Sequence, residues 1–214
     1  MNLTNSYLAF QQQSLSPFHV VENLMEDYEE LGFVELSFDK DWSLNAGSSY
    51  YLRHPDLKSL IAFRVGQRSP RDGGFKILSA HTDSPAFRLR LDPFKVKEGV
   101  SVLMTQKHGG MIFRSWFDRP LTIGGSVFIK SEKSKFLYPI DAQIVASSIP
   151  VGVIPDVAIH LDREKNQKGS INPELVMQAI CGTSDMDAKE KLFGKETLGQ
   201  WQLSMAMEKV LHLH

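Results

Sequence analysis

In the stretch Ser79-Ala80-His81-Thr82-Asp83-Ser84-Pro85-Ala86-Phe87, a histidine and an aspartate stand two residues apart, directly after the apolar run Phe75-Lys76-Ile77-Leu78. On a strand, side chains at i and i+2 share a face, so the pair can act together where the strand leaves its sheet. The carboxylate can accept a hydrogen bond from one imidazole nitrogen, which fixes the tautomer and leaves the other nitrogen's lone pair for a metal ion. Carboxyl ends of strands in open α/β sheets are also where sites gather. The rival chemistry is a triad with Ser79 or Ser84 as nucleophile, but neither serine lies in a Gly-X-Ser-X-Gly elbow. His-X-Asp recurs by chance, and on spacing alone a structural histidine satisfied by its neighbour is the plainer explanation.

The elements that must hold this pair are legible around it. Leu3, Tyr7 and Phe10 recur at helical spacing, and a second helix is announced by Ser16 as cap and Pro17 at the first position. Its apolar face runs through Val20 or Val21, Leu24, Tyr28 and Leu31, and Gly32 stops it. Short strand candidates follow in FVELSF, SSYYLRH, LIAFRVG and FKILSAH, separated by turn residues. Helices followed by an increasingly apolar meander predict an α/β layer. Beyond FRLRLDP the texture is β throughout: VSVLM, MIFRSWF, LTIGGSVFIK, FLYPIDAQIVAS and VIPDVAIHL are short, β-branched or aromatic, and punctuated by Gly and Pro. Helical pattern returns after Asn172-Pro173 and again in LGQWQLSMAMEKVLHL. The change of texture places a boundary near Pro93.

Composition narrows the classes of function. Lys and Arg total 24 against 25 Asp and Glu, so no broad charged field favours nucleic acid or an anionic membrane. Cys181 is the single cysteine, which excludes an internal disulfide framework and a Cys-rich zinc knuckle and suits a reducing compartment. The N-terminal segment has no basic stretch followed by an apolar core, and no apolar run reaches the roughly 20 residues of a membrane span. The reading is a cytoplasmic protein.

Four stretches, in order, resemble the M18 metalloaminopeptidases, the family of aspartyl aminopeptidase and yeast vacuolar aminopeptidase I. They are FHVVENLMEDYEELGFVEL, SAHTDSPAFRLR, HGGMIFRSWFDRPLTIGGSVFIK and IPDVAIHLDRE. The resemblance implies an α/β fold: a partial zinc-peptidase α/β domain over residues 1–92, then a β-rich dimerisation-type domain with C-terminal helices over residues 93–214. It implies His81 as a zinc ligand, Asp83 as the catalytic-site carboxylate that orients it, and His160 as a histidine reaching toward a partner subunit's substrate pocket. Trp116 and Phe117 would pack, and Asp118 and Arg119 would fix strands or the dimer seam. In complete family members two zinc ions activate a bridging water for hydrolysis of the N-terminal peptide bond, with a glutamate as base. Similarity to the aspartyl branch implies a preference for acidic N-terminal residues.

The departures from the family matter as much. Its members are longer, and their second half carries the bridging aspartate, paired glutamates and last histidine, none of which has a counterpart here. Asp156 stands where the family has a histidine, and the likeness fades after Ile171–Ile180. His19, His54, His108, Asp185, Asp187 and Glu190 lie in unrelated segments without ligand spacing. On a helix His212 and His214 would be turned apart by about 200°, whereas on a strand they could share an ion. A catalytic zinc takes about three protein ligands, so His81 alone does not complete a site. The expectation is therefore a zinc aminopeptidase chain that is truncated and inactive in isolation. Its partners would be a peptide substrate, further copies of itself, or a full-length relative. The alternative is a non-catalytic assembly module. Either way, a partial sheet predicts exposed apolar surface.

Overall fold

Local capping sets the two N-terminal helices of the computed structural model, which describes residues 2–130, 140–164, 171–183 and 209–213. Helix α1 (Leu3–Gln13) begins where Asn2 Oδ1 accepts the Thr4 N–H at 3.2 Å. Helix α2 (Pro17–Glu30) starts at Ser16 with Pro17 in the first turn, as its sequence predicts, and buries Pro17, Phe18 and Val21. Gly32, at φ 80°, turns the chain into a small sheet. That sheet has the order β1 (Val34–Glu35), β2 (Ser49–Arg53), β3 (Leu60–Arg64), with β1 parallel and β3 antiparallel to β2. Tyr50, Tyr51 and Leu52 are buried in β2. The Tyr51 hydroxyl donates to Glu29 Oε1 at 2.6 Å, tying sheet to helix. Burial, followed by that bond, pushes the Tyr51 pKa upward.

Ser16 also governs a titration. Its Oγ accepts the His19 N–H at 3.5 Å and lies 2.7 Å from His19 Nδ1, so its own hydrogen is free to donate to the neutral ring. Burial lowers the His19 pKa below its ordinary 6.5. As pH falls below 6.5 the unfolded chain binds the proton first. Stability is therefore present in full above that pH and is lost as pH falls toward the folded pKa. Urea unfolding at about pH 7.5 and 5.5 is expected to show this loss in the native chain, and a smaller one in His19→Gln.

After a single turn, α3 (Pro70–Gly73), the strand expected in FKILSAH does not form. Among the described residues, no backbone hydrogen bond joins Phe75–Ala80 to any other segment. Gly74 to His81 are all exposed, with Phe75 at 81%, Ile77 at 84% and Leu78 at 100%. The residues have strand character, but no described segment offers them an edge to pair with. This is the exposed apolar surface predicted for a partial sheet.

The chain divides into Met1–Ser84 and Pro85–His214. The second unit is built from β4 (Ala86–Lys97), β5 (Val100–His108), β6 (Pro120–Lys130), β7 (Ile140–Ala146), β8 (Gly152–Val153), β9 (Ala179–Gly182) and β10 (Lys209–Leu213). The sheet curls until β10 pairs with both β4 and β6, closing a six-stranded barrel of order β10-β4-β5-β9-β8-β6, with β7 alongside β6. Phe87, Leu103, Leu121, Ile154, Met177 and Ala179 are wholly buried at its centre. Gly152 permits the β8–β9 approach, since a Cβ there would lie 2.7 Å from the Ile180 carbonyl oxygen.

Several expectations are corrected in this unit. Pro93 lies inside β4, between Leu89 and Phe94, where the register shifts against β5; it marks an irregularity in a strand. Phe113–Trp116 in MIFRSWF is a turn of 3-10 helix. Asn172-Pro173 starts only one helical turn, α4 (Pro173–Val176), before the chain becomes β9. Met177 and Ala179 are buried two apart, and Thr105 Oγ1 donates to the Met177 carbonyl at 2.6 Å, which seats this segment against β5. Lys209–Leu213, expected to be helical, is the strand that closes the barrel; the rest of LGQWQLSMAMEK lies outside the described residues. Of the expected VIPDVAIHL strand only Val153 is β, at the end of β8, with an isolated bridge at Ile154, because Pro155 offers no donor to a ladder.

Candidate functional site

His81 and Asp83 meet as their spacing suggested, although no strand carries them. His81 Nδ1 lies 2.8 Å from Asp83 Oδ1. An ionised carboxylate only accepts, so Nδ1 carries the hydrogen and Nε2 keeps its lone pair. Between them, Thr82 Oγ1 donates to the Lys58 carbonyl at 2.8 Å, which anchors this loop to the turn between β2 and β3. The imidazole is 88% exposed, an arrangement suited to receiving a partner from outside the chain.

A second His-X-Asp in that same turn shows what the geometry alone is worth. His54 Nδ1 lies 3.1 Å from Asp56 Oδ1. Here the aspartate is occupied by the turn: its Oδ1 accepts the Lys58 N–H at 2.9 Å and its Oδ2 the Ser59 hydroxyl at 3.3 Å. Burial works to raise the Asp56 pKa, but the bonds from Lys58, His54 and Ser59 outweigh it and hold the carboxyl below its usual range. The other candidate ligands are dispersed. His19 pairs with Ser16, and His108 Nε2 lies 3.2 Å from an Arg88 terminal nitrogen across β4 and β5. His212 stands opposite Thr122 in the barrel ladder. His214, Asp185, Asp187 and Glu190 lie outside the described residues. Among the described residues no group of three or more His, Cys, Asp or Glu side chains could hold a metal ion. His81 with Asp83 fits one oriented ligand; it does not make a complete zinc site.

His160 belongs to the second unit, where it is exposed on a turn spanning Ile159–Leu161. The turn is closed by the Leu161 N–H donating to the Ala158 carbonyl at 2.9 Å. The entry to this loop is fixed by a residue the sequence placed only loosely. Asp118 takes the left-handed conformation at φ 54°, which aspartate tolerates better than most residues. Its N–H donates to the Ile154 carbonyl and its Oδ1 accepts the Asp156 N–H, both at 2.9 Å. Trp116, two residues earlier, is buried edge-on against Phe87 with ring centres 5.1 Å apart. The sequence signal for this clamp was Trp-Phe-Asp-Arg itself, but which carbonyl and N–H it would grip was not readable.

Comparison with known proteins identifies relatives of the chain as a whole. The family described as Aminopeptidase I zinc metalloprotease (M18) matches residues 10–212. A probable M18 family aminopeptidase 2 of Clostridium acetobutylicum is 37% identical over 183 residues, covering 85% of this chain and 41% of that protein. One from Pseudomonas savastanoi pv. phaseolicola is 33% identical, covering 80% and 39%. Among solved structures, a chain of the Ape4 and Nbr1 complex superposes with a TM-score of 0.83 at 29% identity, over 97% of this chain and 43% of that one. Chaetomium thermophilum mApe1 gives 0.80 at 28%, over 98% and 50%. The fold and these matches define the class, a chain of mixed α/β architecture related to the metallopeptidases. The chain belongs to the M18 aminopeptidase family. It spans about two fifths of the length of the curated relatives it matches.

No helix among the described residues is long and apolar enough to cross a membrane.

Proposed function

We propose that this chain contributes to a zinc-dependent aminopeptidase that removes N-terminal residues, acidic ones by preference, from peptides in the cytoplasm. His81 supplies a zinc ligand, Asp83 holds its ring and tautomer, and His160 reaches toward substrate in an assembly of several copies. The observation that carries this reading is the 2.8 Å His81–Asp83 bond, which lies within the residues 10–212 that the family matches. The donor set described here stops at one oriented imidazole, so the remaining ligands and the general base come from a second polypeptide segment and the isolated chain does not turn over substrate. A solved neighbour described as the S. cerevisiae mApe1 dodecamer makes assembly a natural part of the proposal. The test is direct: purified chain with zinc or cobalt and aspartyl, glutamyl and leucyl chromogenic substrates. No turnover is expected, and turnover abolished by His81→Ala would overturn the claim that the chain needs completing.

The closed barrel favours a second reading, a non-catalytic assembly module. Its core is continuous and built from its own residues, so it can present an interface without any chemistry in the first unit. Light scattering of the chain and capture by a full-length relative are its measurements; a strict monomer that binds no relative excludes it.

A further inference from the structure

Leu57 holds φ at 62°, in the left-handed region where a side chain as bulky as leucine crowds the backbone and glycine would not. Such a conformation persists only where its surroundings over-determine it. The surroundings here are the turn His54–Ser59 between β2 and β3. The Leu57 N–H donates to the His54 carbonyl at 2.9 Å, and the His54 N–H to the Ser59 carbonyl at 2.8 Å. Asp56 locks the residues that follow: its carboxylate accepts the Lys58 N–H at 2.9 Å and the Ser59 hydroxyl at 3.3 Å, with His54 Nδ1 at 3.1 Å. Lys58 is therefore held at both ends, its N–H by Asp56 and its ammonium above the ring of Phe18, 5.7 Å from the centroid. Phe18 belongs to the buried face of α2, so the turn is referenced to the core of its unit. What emerges from it is one carbonyl in a fixed place, and the Thr82 hydroxyl donates to that carbonyl at 2.8 Å.

We infer that Thr82 and Asp56 are positioning residues for the His81 imidazole: Asp56 locks a strained turn whose Lys58 carbonyl, through Thr82, fixes where the ring stands. This positioning serves the reading of His81 as a zinc ligand, on which it rests for its purpose. Asp83 sets the tautomer of the ring, but it lies on the same short loop and cannot set where that loop lies. The chain before it gives no help, since no backbone hydrogen bond joins Phe75–Ala80 to another described segment. Thr82 is suited to the task by its place. Side chains alternate along an extended chain, so with His81 and Asp83 sharing one side the residue between them turns to the other. Its anchor therefore leaves the face of Nε2 open. A ligand is held accurately when the residues behind it are themselves locked, and Lys58 is such a residue. The two His-X-Asp pairs of this unit then have one purpose: His54–Asp56 builds the support, and His81–Asp83 stands on it.

The experiment uses the full chain with isotope-labelled histidines and reads each imidazole by NMR at about pH 8, above the ordinary range of histidine titration. In the native chain the His81 ring is expected in the Nδ1–H form, and Asp83→Ala supplies the mixture of an unrestrained ring. Thr82→Val keeps the side-chain shape and removes the hydroxyl. It is expected to move His81 most of the way to that mixture and to weaken zinc at its Nε2, titrated as zinc chloride, by about 10-fold. Thr82→Ser restores both, while the His54 ring stays native in either variant. Asp56→Ala disturbs His81 as Thr82→Val does, and adding Leu57→Gly recovers it, because glycine takes the left-handed conformation without the lock. An unchanged His81 ring in Thr82→Val, no recovery in Thr82→Ser, or an Asp56→Ala loss that Leu57→Gly leaves in place would each overturn the inference. A urea midpoint shared by the Val and Ser variants keeps a ring effect from being mistaken for unfolding. Ring shifts as expected, with a native His81 that ignores zinc throughout, would count against the zinc-ligand reading and leave the positioning standing.

Discussion

Asp83→Ala, in an assembly that binds zinc, is expected to weaken zinc affinity by about 10–100-fold, with His81→Ala weakening it further. The reasoning starts from the ring. The 2.8 Å contact puts the hydrogen on Nδ1 and aims Nε2 outward, so a metal meets a lone pair already in place. Without the carboxylate the imidazole samples both tautomers and other rotamers, and the lost ordering appears as lost affinity. Asp83→Asn keeps an acceptor for the Nδ1 hydrogen but removes the charge that raises ligand basicity, so its loss belongs near the lower end, about 10-fold. Competition against a chelator of known affinity measures all three. The graded order is the signature: Asn and Ala losing affinity equally would remove the tautomer argument, and no loss in either would place the zinc elsewhere. The same substitutions should leave the melting midpoint of the isolated chain unchanged, since a side-chain contact this exposed holds little of the fold together. That separation keeps a metal effect from being mistaken for unfolding.

The pair was legible in the sequence because everything it needs lies within three residues. So was α2, whose cap, first-turn proline and terminal glycine are all local. Long-range pairing was the illegible part. Phe75–Leu78 has the composition of a buried strand, and that reading of its preference stands; what the sequence could not show is that no described neighbour offers an edge. Ala179 and Ile180 fitted a helical pattern running on from Leu175, but Met177 and Ala179 bury at a period of two once β5 is beside them. Lys209–Leu213 satisfied a helical spacing equally well, and the open edges of β4 and β6 decided the matter. Pro93 looked like punctuation between domains because the sequence does not say that a strand can carry a proline where its ladder is already broken.

The site shows the same division. His54–Asp56 and His81–Asp83 have nearly the same local geometry, and spacing cannot separate them. What separates them is company: the turn N–H of Lys58 and the Ser59 hydroxyl claim Asp56, whereas His81 and Asp83 sit in one of the four stretches whose sequence resembles the M18 family. Asp118 makes the complementary point. Its left-handed backbone and two bonds to the 154–156 segment fix the start of the His160 loop, a contact 38 positions apart that no short-range rule reports.

Phe87→Ala is expected to cost the second unit about 3–5 kcal/mol, the range for deleting a buried phenyl ring from a packed core. Phe87 is 0% exposed, stands edge-on to Trp116 at 5.1 Å and stacks near Phe113 at 6.3 Å. It sits in β4 opposite Lys107 of β5 and Leu211 of β10, at the seam where the barrel closes. Truncation therefore removes packing from the aromatic cluster and from the closure together. Phe87→Leu, which keeps most of the volume, should cost much less, under about 1.5 kcal/mol if the neighbours repack. Amide exchange tells which part of the molecule loses stability. The core cluster containing Phe87 draws only on residues of the second unit, so protection should fall in β4, β5 and β6 while α2 and β2 keep theirs. Ala and Leu variants of equal stability would mean that the cavity collapses on truncation and that the ring's shape contributes nothing. The test also divides the motif by purpose: His81 and Asp83 can be changed with little effect on folding, whereas Phe87, four positions beyond Asp83, cannot. One short stretch thus holds an oriented His–Asp pair and, immediately after it, an anchor for the barrel core.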